Sequence, residues 1–306
     1  MKDSEAPPQP YIDLWKNCIE AAGDGTLCLH NRFVAVHLVN IVRHNAHERI
    51  DEIRDCIATK YPDRGSTKDF TSNTINQDQA TIALAFAIKM WLHLPFTFDF
   101  KTPQTLAEWT KGQVPPKTPK DQIIPGTLSS DFCISHFKRK GGMTVIWEDD
   151  ITQHLKVDKD KGIHVFRHSA MLTAMERSPD PNPFPEGFIE ETLHTLYLLF
   201  RPLEPHKTRR NVRMMEKNPH IDLELAMAKQ ASFDLNNYRY WHARLAKIQT
   251  AYDRTSPKSL QQWWFDRRDR VQWATFWTAF VVFILTVIFG IISSVTGILQ
   301  VIAASE

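Results

Sequence analysis

Cysteine is sparse. Cys18, Cys28, Cys56 and Cys133 are the only four in 306 residues, and they lie 10, 28 and 77 positions apart. That spacing fits neither a disulfide ladder nor a paired zinc knuckle, so reduced and mostly buried thiols are expected. Asn-x-Ser/Thr sequons are absent, and Met1 to Pro10 is acidic and proline-rich without the basic patch and apolar run of a secretory signal. The chain also lacks GxSxG, GxGxxG, CxxC, HExxH and a P-loop, which removes the motif-level case for a serine hydrolase, a dinucleotide or nucleotide enzyme, or a thiol redox protein. No cofactor is implied by any of this.

Charge is absent from one stretch altogether: Val271 to Ser305 carries no ionisable side chain. All 37 basic residues and all but one of the 35 acidic ones therefore fall in residues 1–270, where the balance is only +3. So small an excess marks no nucleic-acid binder. Within the uncharged stretch, Phe276 to Ile298 reads FWTAFVVFILTVIFGIISSVTGI. Those 23 residues would span about 35 Å as a helix, against a hydrocarbon core of about 30 Å. A buried core helix is the plainer reading, but such helices are seldom this long and apolar on every side.

The flanks predict how such a span would sit. Arg267, Arg268 and Arg270 stand just before it and no Lys or Arg follows, which places the N-terminal domain on the cytosolic side of a single-pass protein. Trp263, Trp264, Trp273 and Trp277 are suited to the headgroup level. Ser256-Pro257 reads as an N-cap and first-turn proline opening a membrane-surface helix over 256–272, ahead of an anchor over 273–302. With eight residues after Ile298, insertion is expected to be post-translational, as in tail-anchored proteins. The non-basic tail and apolar span favour the endoplasmic reticulum over the mitochondrial outer membrane. Gly290 with Ser294, and Ser293 with Gly297, form small-xxx-small pairs suited to self-association.

The remainder reads as a mainly α domain over 11–255, preceded by a disordered N-terminus over 1–10. Phe33 to Tyr61 has helical apolar spacing, as one long helix or two in line, and is stopped by Pro62. IALAFAIKMWLHL, starting near Thr74 or Asn76, is apolar enough to be the central core helix. Thr102-Pro103 announces a helix through LAEW, and GFIEETLHTLYLLF forms another between Pro185 and Pro202. His220 to Tyr252 is polar and helical in pattern. The middle differs: MTVIW and IHVF flank a DKDKG turn, which predicts a small β hairpin or edge sheet near 143–167. Ser178 to Pro185, SPDPNPFP, reads as an internal linker or an ordered loop packed on the core.

YDRTSPKSLQQWWFDRRDRVQWATFWTAF, Tyr252 to Phe280, resembles the C-terminal signature of a group of uncharacterised proteins of filamentous ascomycete fungi that share a C-terminal transmembrane helix. GGMTVIWEDDITQHLKVDKDKGIHVFRHSAML, Gly141 to Leu172, resembles their middle region, and the two segments cover about a fifth of the chain. The group has no assigned activity, so the resemblance implies lineage and topology and lends no residue a role.

Three constellations could carry chemistry. His44, His47 and Asp51 fall at metal-ligand spacing on one helical face, two turns after His37, though solvated surface histidines are the plainer reading. Glu148, Asp149, Asp150 and His154, followed by His164 and His168, could supply an acid, a base and an imidazole in one β-centred region. Against this, Asp149 or Asp150 suits the N-cap of a short helix ITQHL, and Asp158 to Asp160 suits a turn. Lys207, Arg209, Arg210, Arg213 and Lys217 form a basic run fit for anionic lipid or for plain solvation. The reading that best fits these features is a non-catalytic, membrane-tethered interaction or scaffold protein with the lipid bilayer and a protein as partners. The rival is a membrane-attached enzyme, or an accessory of a fungal biosynthetic gene cluster, acting on an apolar substrate.

Overall fold

A computed structural model describes residues 9–23, 27–62, 72–73, 75–98, 100, 103–123, 125–159, 162–179, 182–200, 232–254 and 270–304. Among them are ten α-helices and two small two-stranded sheets, so the protein is mainly helical. α1 (Gln9–Ala22) starts two residues inside the segment expected to be disordered. α2 (Arg32–His44) is capped by the Asn31 side chain, which accepts from the Phe33 amide at 3.0 Å. α3 (Ile50–Thr59) follows after a break at Asn45, so the 33–61 pattern is two helices. The short strands β1 (Tyr61–Pro62) and β2 (Ser72–Asn73) pair antiparallel.

α4 (Gln77–Leu92) is opened by a capping box. Asn76 accepts from the Gln79 amide at 2.7 Å, and the Gln79 side chain reaches back to the Asn76 amide. Its Ala80, Ala83, Leu84, Phe86, Ala87, Ile88 and Leu92 are buried, and it packs on α1, α2 and α3 as the central helix. α5 (Leu106–Gln113) is capped by Thr105 and Glu108, three residues beyond the cap expected at Thr102. α6 (Ile134–Arg139) leads into β3 (Thr144–Glu148), and β4 (Gly162–Phe166) runs into α7 (Ser169–Arg177). α8 (Phe188–Phe200) buries ten of its thirteen residues. α9 (His242–Asp253), preceded by a 3₁₀ turn at Leu235–Asn237, is the only α-helix in the described part of the 220–252 segment. Phe184 is buried and stacks on Phe188, so the described part of 178–185 is a packed loop and not a free linker.

Of the two forms expected near 143–167, a small sheet is what MTVIW and IHVF build, and not a hairpin. β3 and β4 pair in parallel, with Thr144 opposite Gly162 and Glu148 opposite Phe166. The chain still reverses around Asp158 to Gly162, but the arm entering that reversal is residues 155–158. Leu155 N–H donates to the His164 carbonyl at 2.8 Å, His164 N–H to Lys156 at 2.9 Å, and Val157 bridges Ile163 antiparallel. β3 arrives earlier, through a 3₁₀ turn at Ile151–Gln153 and a left-handed Leu155 (φ 61°), and so takes the other edge of β4 in the same direction. Roughly a dozen residues is about the shortest crossover a parallel pair tolerates. Gly162 permits the approach, because a Cβ there would lie 2.6 Å from Ile146 Cδ1.

α10 (Arg270–Ala304) has 35 residues. Within it Ala274–Ile298, 25 residues of mean hydropathy 2.5, is long and apolar enough to cross a membrane. None of that stretch is buried, which sets it apart from a core helix. Five of its hydroxyls are satisfied inside the helix: Thr275, Thr278, Thr286, Ser294 and Thr296 each donate to the carbonyl four residues back at 2.6–2.9 Å. A hydrocarbon environment demands such internal pairing.

Candidate functional site

Parallel pairing has a direct consequence for the acidic run. Both strands end at the same edge, so the residues after β3 meet those after β4, and an Arg167 N–H donating to the Glu148 carbonyl at 3.1 Å extends the ladder to that point. Beyond it the Arg167 guanidinium grips Asp149 with both arms, Nε to Oδ1 at 2.6 Å and Nη2 to Oδ2 at 2.9 Å, while His168 Nε2 donates to Oδ1 at 2.6 Å. Burial works against the Asp149 charge, but the hydrogen bonds from His168 and Arg167 outweigh it and hold the carboxyl down at about 2. A carboxylate so held is a poor proton acceptor near neutrality.

His93 sits beside this group. It ends α4 in the left-handed conformation (φ 54°, ψ 37°), is 1% exposed, and lies with its ring centre 4.2 Å from that of His168. Phe166 meets it edge-on at 5.5 Å, and Tyr11 of α1 covers His168 at 4.7 Å, its hydroxyl accepting from the Met171 N–H at 3.0 Å. Neither His93 ring nitrogen makes a hydrogen bond of full geometry, although the Asp149 carbonyl lies near enough to favour the charged form slightly. Burial first, then the neighbouring His168, push its pKa well below the ordinary histidine value. The His93 carbonyl accepts from Ile151 N–H at 3.2 Å, which ties the end of α4 to the 3₁₀ turn.

The other sequence candidates are separated by the fold. Asp150 caps the 3₁₀ turn, accepting from the Thr152 amide and hydroxyl, both at 2.8 Å, and from Gln153 Nε2 at 3.1 Å. His154 is fully buried. Its Nδ1 accepts from the Phe166 amide at 3.1 Å, which leaves the proton on Nε2 to be donated to Thr195 Oγ1 at 2.8 Å, and Thr195 donates onward to the Thr192 carbonyl. His164 lies between two carboxylates, Glu148 at 2.6 Å from Nδ1 and Asp158 at 2.9 Å from Nε2. Partial burial opposes its charge, but the two acids raise its pKa overall. The acidic–histidine region thus resolves into four separate bonded groups around the β3–β4 unit, not one converging site.

The helical spacing that made His44, His47 and Asp51 a metal candidate is broken by the fold, because α2 ends at His44 and Asp51 belongs to α3. His44 Nδ1 pairs with the Asn40 carbonyl, His47 with Glu48, and Asp51 with both arms of Arg49. Among the described residues no group of three His, Cys, Asp or Glu side chains is placed to hold a metal ion. None of Cys18, Cys28, Cys56 and Cys133 is in a disulfide. Lys207, Arg209, Arg210, Arg213 and Lys217 lie outside the described residues, as do Trp263, Trp264, Arg267 and Arg268. Arg270 and Trp273 begin α10, Trp277 is partly covered, and Gly290, Ser293, Ser294 and Gly297 are exposed along it.

Sequence reasoning passed over His93, Tyr11, Arg167 and Glu191. Only the His93-Leu94-Pro95 helix exit gave any signal. Glu191 on α8 accepts from the Tyr240 and Trp241 amides at 2.7 and 2.8 Å, capping the approach to α9 with a buried carboxylate. Two open clefts lie elsewhere. One, of about 160 Å³, is lined by Arg43, Trp91, Met171, Ala174, Met175 and Ser178, with Asn182; the other, of about 370 Å³, by Arg32, Phe33, Val36, His37 and Asn40. Neither takes a wall from the acidic–histidine groups. No protein-family profile, curated protein or solved structure matches the chain.

Proposed function

We propose that this chain is a non-catalytic interaction or scaffold protein, anchored to a membrane by Ala274–Ile298, with its helical domain on the cytosolic face of the endoplasmic reticulum. The observation that carries this reading is how the polar residues of the domain are used. Asp149, Asp150, His154 and His168, the side chains best suited to acid–base work, are spent on ion pairs, caps and core hydrogen bonds. A general base needs access to a substrate proton and a pKa near the working pH. Asp149 and His154 are moved away from it, to about 2 and about 3, and His154 has no exposed surface.

The side of the membrane rests on Arg267, Arg268 and Arg270 before the span and none after. Protease added to sealed microsomes should digest the domain and leave a small protected fragment containing the span. Protection of the whole domain overturns the orientation. A measurable turnover that His154→Ala abolishes, with the protein still folded, overturns the non-catalytic reading.

A further inference from the structure

We propose that the exposed face of α2 docks on the anionic surface of the same bilayer that the span crosses, so that the domain lies against the membrane instead of hanging from it. The inference rests on the tethered reading above and names the ligand of one surface. Phe33 and Val36, 58% and 51% exposed, are the only large apolar side chains exposed outside α10 among the described residues. They lie three residues apart, on one helical face, and line the same cleft with Arg32, His37 and Asn40. Farther along that face Arg43 and His44 are also exposed.

Charge complementarity selects the occupant. α2, RFVAVHLVNIVRH, contains no acidic residue, while Arg32 opens it, Arg43 and His44 close it and His37 lies between. Protruding aromatic and aliphatic groups ringed by cations match a leaflet that offers phosphate and carboxylate at the surface and hydrocarbon beneath. The opposite face of the helix, Val34, Leu38, Ile41 and Val42, is buried in the core, so the exposed groups are presented on a rigid support. Tethering supplies the rest. Fifteen residues, 255–269, separate the domain from α10 and reach at most about 50 Å, which keeps the face at high effective concentration near the leaflet.

The test uses the full chain in nanodiscs of phosphatidylcholine, with or without phosphatidylserine. A photoreactive p-benzoylphenylalanine is placed at one position at a time: Phe33→p-benzoylphenylalanine, Phe283→p-benzoylphenylalanine in the span as positive control, and Lys111→p-benzoylphenylalanine on the exposed side of α5 as reference. All three sites are solvent- or lipid-facing, and circular dichroism checks that folding is preserved. The expected result is a lipid adduct at position 33, several-fold above that at 111, enhanced by phosphatidylserine and reduced by high salt or by Arg32→Glu with Arg43→Glu. An adduct at 283 but no more at 33 than at 111 overturns the docking and leaves the tether standing. So does a protein–protein adduct from position 33, or equal yield in the two lipid mixtures. Absence of an adduct at 283 instead overturns the membrane reading beneath it.

Discussion

Acid should weaken the domain through His154, and the size of the effect follows from its surroundings. Its Nδ1 accepts from the Phe166 amide, so a second proton would have to break that bond. The resulting charge would also sit beside Arg244, whose guanidinium donates to the Thr152 and His154 carbonyls. Burial first and the Arg244 charge second hold the His154 pKa at about 3. In the unfolded chain it returns to about 6.5. A depressed histidine pKa means that the unfolded state binds the extra proton throughout the interval between these values. Stability present above pH 6.5 is therefore lost as the pH falls. At about 1.36 kcal/mol per unit, His154 alone removes about 2.7 kcal/mol by pH 4.5. His93 acts in the same direction. Urea unfolding of the full chain in mild detergent, followed by circular dichroism from pH 8 to 4.5, measures the total. Repeating it with His154→Asn, whose side-chain oxygen can still accept from Phe166 but does not titrate, isolates the one residue. The variant's stability should fall by about 2.7 kcal/mol less across the range. Identical pH dependence in two folded proteins would refute the reasoning.

Three further outcomes are expected. Arg167→Lys keeps the charge opposite Asp149 but loses one of two hydrogen bonds, so it should cost about 1.5 kcal/mol in the same unfolding assay, and an unchanged midpoint contradicts the two-armed grip. His164 has a raised pKa, so its bridge between Glu148 and Asp158 contributes below the unfolded value and is lost as the pH rises through the folded one. Hydrogen-exchange protection of residues 156–164, corrected for intrinsic rates, should accordingly drop on the alkaline side, and constant protection counts against the bridge. Gly162→Ala should cost about 1 kcal/mol by pressing on the end of Ile146, and Ile146→Val in the same chain should restore most of it; a Gly162→Ala protein as stable as wild type removes the close approach.

Much of the helical framework was legible because it depends on local chemistry. Asn76 with Gln79 and the apolar run to Leu92 mark both the start and the central position of α4. The uncharged Phe276 to Ile298 stretch lies within α10. The strand pairing was not legible in the same way. MTVIW and IHVF read as strands, but direction depends on where the chain turns, and a left-handed Leu155 leaves no mark in the residue pattern. The same limit applies to the candidate site. Glu148, Asp149, His154, His164 and His168 are near one another in sequence, which suggested a common site. Alternation along strands and turns sends them to different partners: Thr195 on α8 for His154, Asp158 for His164, Arg167 for Asp149. His93 joins them from the end of α4 across more than fifty positions, a proximity created by the contacts of that helix end with Ile151, Phe166 and His168. The shared face of His44, His47 and Asp51 is lost for a nearer reason, since a helix break at Asn45 interrupts their spacing.

Alkaline carbonate extraction of membranes from cells expressing the chain tests the central claim most directly, because it strips proteins held by surface contacts and spares those held by a span. The full chain should remain in the membrane pellet, while a chain ending at Arg270 should be released as a soluble, cooperatively folding protein. Release of the full chain by carbonate would contradict the account, since α10 would then be an exposed apolar helix that does not enter the bilayer.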